Sequence, residues 1–334
     1  LMGFPWDPPI AHITVADNGT LAYVAGPIVA TESRLMLVDR ASNRMEIEIE
    51  AAKVRGPRFS PDGRRIAISA DIGESVAQLW VYDLERSTLS RVTLEGQGWW
   101  PIWTPDGKRL AFQTLVEPEA VANIFWMPAD GSMSPERLTY SALPHYVNSF
   151  SPDGRTLILQ QGDHPETKED VLALDLDGET REPRPLLSSP AMEMLAELSP
   201  NGRWLAYSSN ESGRFEVYVR SYPDLDNKWQ VSPSGGIEPA WSQDGTELFY
   251  RDEEGLRLMV VDIHQEPDSR PGMPRVLFEG AYVPTIGFGR NYDVAPDGES
   301  FLLVEQKMGG IEQAQIQIVL NWFDEVERLA AAGD

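Results

Sequence analysis

The sequence predicts an all-β fold: a β-propeller of seven four-stranded blades, with six as the alternative count, ending in a short C-terminal helix. Three observations carry this expectation. One turn motif recurs seven times at blade-length intervals, the strand after each turn is apolar at consecutive positions, and further strand-like segments complete most repeats.

Four copies of the motif are close: Phe59-Ser60-Pro61-Asp62-Gly63-Arg64, Trp103-Thr104-Pro105-Asp106-Gly107-Lys108, Phe150-Ser151-Pro152-Asp153-Gly154-Arg155 and Leu198-Ser199-Pro200-Asn201-Gly202-Arg203. Three are looser: Ala16-Asp17-Asn18-Gly19, Ser242-Gln243-Asp244-Gly245 and Ala295-Pro296-Asp297-Gly298. The glycines at 19, 63, 107, 154, 202, 245 and 298 are 44, 44, 47, 48, 43 and 53 residues apart. That is the length of a four-stranded blade. Proline presets φ at the first corner of a turn, aspartate accepts from backbone amides just after it, and glycine takes the left-handed conformation. Each motif is therefore read as the hairpin tip joining a blade's first two strands, and its acid as a turn residue.

The strand after each tip is apolar without alternation, as in Leu157-Ile158-Leu159. A run of that kind is covered on both faces, as a blade between two neighbours is. Third strands follow at Gln78–Asp83, Asn123–Met127, Val171–Asp175, Phe215–Val219 and Leu258–Asp262, and short fourth strands at Arg91–Leu94 and Glu136–Thr139. After Gly298 come strands at Phe301–Glu305 and Ile316–Leu320. Asn321 then reads as a helix N-cap with Asp324 at the third position. The domain division is residues 1–320 as a single propeller and 321–334 as a helical tail packed on it. The last blade lacks a fourth strand. Residues before Ala11 are one source, but Pro5, Pro8 and Pro9 suit a strand poorly. Leu1 is not a natural start, so the chain is read as part of a longer protein whose upstream sequence is another source.

Acids outnumber bases 52 to 28, for a net charge of −24. This argues against nucleic acid and anionic lipid as partners, because both select basic surfaces. With no cysteine, thiolate chemistry, disulfides and zinc–thiolate sites are excluded. No apolar run approaches the roughly 18 residues of a membrane span, so this segment is not expected to insert directly.

The repeats resemble the TolB-like propeller family. The stretch Ser199–Tyr207 running into Ser209-Asn210-Glu211-Ser212-Gly213-Arg214-Phe215-Glu216-Val217-Tyr218-Val219-Arg220 is similar to the C-terminal propellers of bacterial membrane-anchored serine/threonine protein kinases. So are Gly235–Trp241, Asn291–Gly298 and Val319–Phe323. The resemblance spans nearly the whole chain and implies a sensor or interaction module on the periplasmic or extracellular side of a bacterial membrane. It departs from the family pattern at Leu37–Arg40, where a tryptophan is common, and at Gln243, where proline is usual.

No catalytic residue is assigned. The glycine-rich loop, His-Arg-Asp and Asp-Phe-Gly of a kinase are missing, as is the Gly-x-Ser-x-Gly elbow of a hydrolase. His12, His145, His164 and His264 lack metal-motif spacing. The acids Glu166/Glu169/Asp170 and Asp252/Glu253/Glu254 do not fit a calcium loop, so neither metal nor cofactor is expected.

A binding site is expected at the channel mouth opposite the tips, where loops lead into first strands and join second to third strands. Arg58, Trp99, Trp100, His145, Tyr146, Glu193, Asn210, Glu211, Arg214 and Glu238 are placed there, with a protein, peptide or small molecule as ligand. The Trp99-Trp100 pair is read as an aromatic anchor or as packing between blades. The rival functions are a scaffold similar to TolB and, more remotely, a lyase or hydrolase working in the channel.

Overall fold

A computed structural model describes residues 13–16, 19–25, 32–73, 75–93, 96–118, 120–178, 180–264, 270–280, 282–283, 288–306, 315–320 and 322–323. Residues 33–306 form one compact unit of six four-stranded antiparallel blades. Blade 1 comprises Lys53–Phe59, Arg65–Ile72, Ser75–Asp83 and Thr88–Arg91. Blade 2 comprises Trp99–Trp103, Arg109–Val116, Val121–Pro128 and Glu136–Arg137. Blade 3 comprises His145–Phe150, Thr156–His164, Lys168–Asp175 and Arg184–Leu187. Blade 4 comprises Glu193–Leu198, Trp204–Ser209, Glu216–Ser221 and Lys228–Gln230. Blade 5 comprises Ile237–Trp241, Glu247–Arg251, Arg257–Asp262 and Arg275–Glu279.

Blade 6 joins the two ends of this unit. Tyr292–Val294 and Ser300–Gln306 supply its first two strands, while Ser33–Asp39 and Arg44–Ile47 supply its third and fourth. Each first strand packs on the next blade's, and blade 6 packs on blade 1, so the ring is closed. An apolar cluster fills each interface; Ile158, Ala173, Leu198, Leu205 and Tyr207, for example, lie between blades 3 and 4. Burial on both faces is why the second strands read as unbroken apolar runs.

The turns behave as their residues dictate. Ser60 Oγ donates to Asp62 Oδ1 (2.5 Å) and accepts from the Arg65 amide (2.9 Å), and Asp62 also accepts from the Arg64 amide (3.1 Å). The same pattern recurs at Thr104/Asp106, Ser151/Asp153, Ser199/Asn201 and Ser242/Asp244. These bonds, led by the hydroxyl, hold the Asp62, Asp106, Asp153 and Asp244 carboxyls below their usual range. Gly63 has φ +70°, which favours glycine.

The turns also interlock. Pro296 lies against Gly63, Pro61 against Gly107, Pro105 against Gly154 and Pro152 against Gly202, each proline ring within 3.5–3.7 Å of where a Cβ would stand. The corners therefore gather on one side of the ring. At Gln243 the series loses its proline. Between blades 5 and 6, Arg40 donates instead to the Gly298 carbonyl (2.7 Å) and pairs with Glu247 of blade 5.

Seven turns thus produce six blades, the second of the two counts the sequence allowed. The first hairpin, Ile13–Val15 and Leu21–Ala25, pairs with the last strand, Gln315–Val319, in a separate three-stranded sheet. The first repeat's own third and fourth strands complete blade 6. The physical reason is closure. A ring shut by strands from both ends has every interface filled, and the closing sheet is clamped by charge: Glu305 pairs with Arg34 (3.1 Å) and Arg44 (2.7 Å), residues of the two N-terminal strands. Of the expected C-terminal helix, Trp322 and Phe323 are helical; Asn321 and residues 324–334 lie outside the described residues. The Trp322 amide donates to the Gly19 carbonyl (2.7 Å).

Candidate functional site

The first strands line the central channel, and their shared register sets what each residue faces. Gly56, Trp100, Leu195 and Glu238 occupy equivalent positions and share a bulge with φ of 55, 56, 55 and 58°. A positive φ strains the three non-glycine residues, which the surrounding contacts must hold. Part of that support is a repeated hydrogen bond in which a side chain of the preceding blade accepts from an amide at this level. Asn291 Oδ1 accepts from Gly56 (3.1 Å), Gln113 Oε1 from Val147 (3.2 Å), Gln160 Oε1 from Leu195 (3.2 Å) and Glu238 Oε2 from Asn291 (2.8 Å). Buried polar groups persist when paired in this way.

Two residues further along each first strand, toward the turns, stand Arg58, Ile102, Ser149, Glu197, Ala240 and Asp293. The charged members form a network with Arg290. Arg290 pairs with Glu197 across the channel and with Asp293 (2.7 Å), and donates to the Pro239 carbonyl (2.9 Å). Arg58 donates to the Pro57, Arg290 and Tyr292 carbonyls at 2.7, 2.8 and 3.2 Å. Burial and the neighbouring Arg290 pull its pKa down to about 10. Asp293 also accepts from the Phe59 amide (2.8 Å). These charges tie blades 4, 5, 6 and 1 together around the axis.

Arg58 was expected at the mouth opposite the turns; it sits inside the channel on the turn side, because it directly precedes Phe59 and the turn at Ser60. Glu238 is fully buried, bonded to the Asn291 amide and Arg251 (3.4 Å). Glu197, Arg290, Asp293 and Arg251 were missed. An alignment of the repeats by register shows the signal: charge at a position where other blades carry Ile102, Ser149 or Ala240.

At the opposite mouth the aromatic residues meet one another. Trp100 is buried, its indole against Gly56 of blade 1 and Gly289 before blade 6. A Cβ on Gly289 would stand 2.5 Å from that ring. Tyr146 packs on Phe288 with ring centroids 4.7 Å apart, and Gln113 Nε2 donates to the Phe288 carbonyl (3.3 Å). Trp100 thus fills the inter-blade role, while Trp99 is half-buried on the same strand.

His145 is 3% exposed; its Nε2 lies 3.4 Å from Gln161 Oε1, its Nδ1 has no partner, and burial brings its pKa down to about 4. Glu169 is pushed up to about 7 by burial, opposed by a hydrogen bond from Gln160 and reinforced by Asp163 and Asp170. These two groups oppose each other in pH. From pH 6.5 down to 4, His145 binds fewer protons folded than unfolded, so its contribution is present above 6.5 and lost on acidification. Glu169 contributes most below 4.5 and loses this as pH rises through 7. In Glu169→Gln, stability should rise between pH 4 and 6.5; in His145→Asn it should fall between 4.5 and 7. Denaturant midpoints at a series of pH values check both slopes, and parallel slopes would refute the assignment.

Beside this mouth, blades 3 and 4 carry acids. Glu193 is buried and raised in pKa; Ser189 donates to its Oε1, while its Oε2 has no partner. Asp170, also buried, accepts from Thr167 (2.7 Å) and leaves Oδ1 without a partner. Asn210 Oδ1 accepts from the Met192 amide (2.9 Å), closing the loop before Glu193. Glu211 pairs with Lys228, and Arg214 with Glu216 (2.7 Å), at the edge of an open hollow lined by Ser212, Gly213, Arg214, Glu216 and Gln230. Among the described residues no group of three or more His, Asp or Glu could hold a metal ion. No helix among them is long and apolar enough to cross a membrane.

Residues 13–221 match the family described as the TolB beta propeller domain. The chain belongs to this family. This TolB propeller is similar in fold to a putative TolB from Agrobacterium tumefaciens, with a TM-score of 0.65 and 20% identity, covering 82% of this chain and 98% of that one. TolB from Acinetobacter baumannii aligns with a TM-score of 0.55 and 16% identity, over 85% of this chain and 65% of the other. A Bacillus subtilis (strain 168) protein named "Uncharacterized peptidase YuxL" is 30% identical over 156 residues. Those residues are 46% of this chain, which spans only 21% of that relative.

Proposed function

We propose that this propeller is a non-catalytic recognition module that binds a cationic protein segment or peptide at the mouth opposite the turns, beside blades 3 and 4. The observation that carries this reading is the group of buried, unsatisfied atoms on that side: Glu193 Oε2, Asp170 Oδ1 and His145 Nδ1. A buried polar atom without a partner is costly, and donors from a ligand would satisfy the two carboxylate oxygens. Exposed Glu166 and Glu211 and the net charge of −24 favour a partner of opposite sign. Trp99, half-buried, adds aromatic surface to the same mouth. The channel network supports a framework role for Arg58 and Glu238.

The test is a binding profile of the immobilised chain against basic peptides and envelope proteins. Saturable binding should weaken with salt and fall at least about tenfold in Glu193→Gln, a loss of roughly 1.4 kcal/mol. Absence of saturable binding, or a binder indifferent to Glu193→Gln and to salt, overturns the reading.

The similarity of Ser199–Arg220 and Val319–Phe323 to kinase-linked propellers supports a finer proposal, a sensor on the extracytoplasmic side of a receptor-type serine/threonine kinase. A coding sequence that places a kinase domain and a membrane helix before Leu1 would support it. The Bacillus relative favours a second reading, a propeller that accompanies a peptidase domain. An adjoining Gly-x-Ser-x-Gly domain would select that reading and refute the kinase one.

A further inference from the structure

One hydrogen-bonded lock recurs in blades 1, 2 and 4. Gln78, Asn123 and Glu216 hold the same register position of the third strand, opposite Ala70, Thr114 and Ser209. A hydroxyl just past the fourth strand donates to each of these side chains: Thr93 to Gln78 (2.9 Å), Thr139 to Asn123 (3.2 Å) and Ser232 to Glu216 (2.5 Å). The same hydroxyl accepts from the next amide of the third strand, that of Leu79, Ile124 or Val217 (2.7–2.9 Å). The locked side chain also holds the loop that leads to the next blade. Gln78 donates to the Gly96 carbonyl, while Asn123 and Glu216 accept from the Ser141 and Gly235 amides at 3.0 and 2.9 Å.

Blade 3 breaks the lock. Its equivalent third-strand residue is Asp170, opposite Gln161. Leu187 pairs with Val171 where Val92 bonds Leu79, so the equivalent hydroxyl is that of Ser188. Ser188 is exposed, and Asp170 Oδ1 is buried without a partner. The loop at the position that Asp170 would hold, residues 188–192, runs into Glu193, whose Oε2 is also buried without a partner. Burial raises the Glu193 pKa, and the charge of nearby Asp170 adds to it. Asp170 is 3% and Glu193 4% exposed, so an oxygen left unpaired on either is costly. The remaining oxygens are engaged: Ser189 donates to Glu193 Oε1 and Thr167 to Asp170 Oδ2 (2.7 Å). Two neighbouring carboxylates are thus each left with one free oxygen, beside a surface loop whose Ser188 and Pro190 are exposed.

We infer that Asp170 Oδ1 and Glu193 Oε2 form the seat of one primary ammonium, so that the residue recognised in the partner is a lysine and not an arginine. This rests on the reading of that mouth as a site for a cationic segment, and it names the cation. The donor sets decide between the two. A guanidinium pairs best with both oxygens of a single carboxylate, in a planar fork. Neither carboxylate here has both oxygens free. An ammonium is a compact charge with three donors on one nitrogen, and it can give one to each free oxygen.

Titration of the whole chain with oligolysine, oligoarginine and oligo(trimethyllysine) of equal length and blocked ends tests this. All three carry the same charge, but trimethyllysine has no N–H to donate. The wild type should bind oligolysine at least about tenfold more tightly than either of the others. Asp170→Asn and Glu193→Gln should each abolish that preference. Asparagine is accommodated at the equivalent position of blade 2, as Asn123, and unfolding midpoints check that both variants fold. Equal affinity for the three oligomers, with dependence on Glu193 retained, overturns the seat and leaves the cationic site standing. So does a lysine preference that survives Asp170→Asn. If no oligomer binds saturably, or Glu193→Gln changes none of the affinities, the cationic reading itself fails and the seat fails with it.

Discussion

Replacing Arg290 with methionine is expected to destabilise the ring by roughly 3–5 kcal/mol, the cost of leaving buried partners without their counter-charge. Glu197 and Asp293 both rely on this guanidinium, and the Pro239 carbonyl loses a donor at 2.9 Å. The loss should come from the abandoned acids more than from the missing bond. The double variant Arg290→Met/Glu197→Gln should therefore be more stable than Arg290→Met alone. Guanidinium unfolding of the three proteins measures this. If Arg290→Met cost less than about 1 kcal/mol, as a surface pair would, the channel network would not hold blades 4, 5, 6 and 1 together.

The second large effect concerns closure. A chain that starts at Ala52 lacks Ser33–Ile47 and should fail to unfold cooperatively, because blade 6 would keep two strands and Glu305 would lose both arginines. Leu35, Met36, Val38 and Ile47 are buried there, and each contributes about 1.5–3 kcal/mol. Their sum rivals the whole stability of an ordinary domain, about 5–15 kcal/mol. A chain of residues 33–306 retains every blade and should melt in one transition. Calorimetry of both pieces decides it: a cooperative melt for the piece that starts at Ala52 would show that these strands do not close the ring.

The fold was largely legible because its strongest signals are local. Ser60-Pro61-Asp62-Gly63 specifies a turn through its own hydroxyl, carboxylate and φ, and Leu157-Ile158-Leu159 specifies a strand covered on both faces. Partner choice was not legible. Leu35-Met36-Leu37-Val38 and Ile316-Gln317-Ile318-Val319 both read as third strands, and nothing within them says which hairpin each joins. Closure decides that, through Glu305 with Arg34 and Arg44, over more than 260 residues of sequence separation. Counting turns therefore favoured seven over the alternative of six, which is the number the ring holds.

The site was half legible for a related reason. Position in the repeat brought Tyr146, His145, Glu193, Asn210, Glu211 and Arg214 to the side opposite the turns. It did not reveal depth. Trp100 is held against Gly56 and Gly289, and Glu238 is consumed by the Asn291 amide and Arg251, because the bulge in the first strands turns that position inward. Arg290 and Glu197 lie 93 residues apart and meet only when the ring closes.

The chain contains no cysteine, so an engineered pair reports strand pairing cleanly. Leu37→Cys with Leu302→Cys joins two residues in register across blade 6. Peptide mapping after mild oxidation should find that disulfide in the soluble, cooperatively melting protein, and no disulfide in the control Leu37→Cys with Tyr23→Cys. The reverse outcome would contradict six-bladed closure, since it would place Ser33–Asp39 beside the first hairpin, as a seven-bladed ring requires.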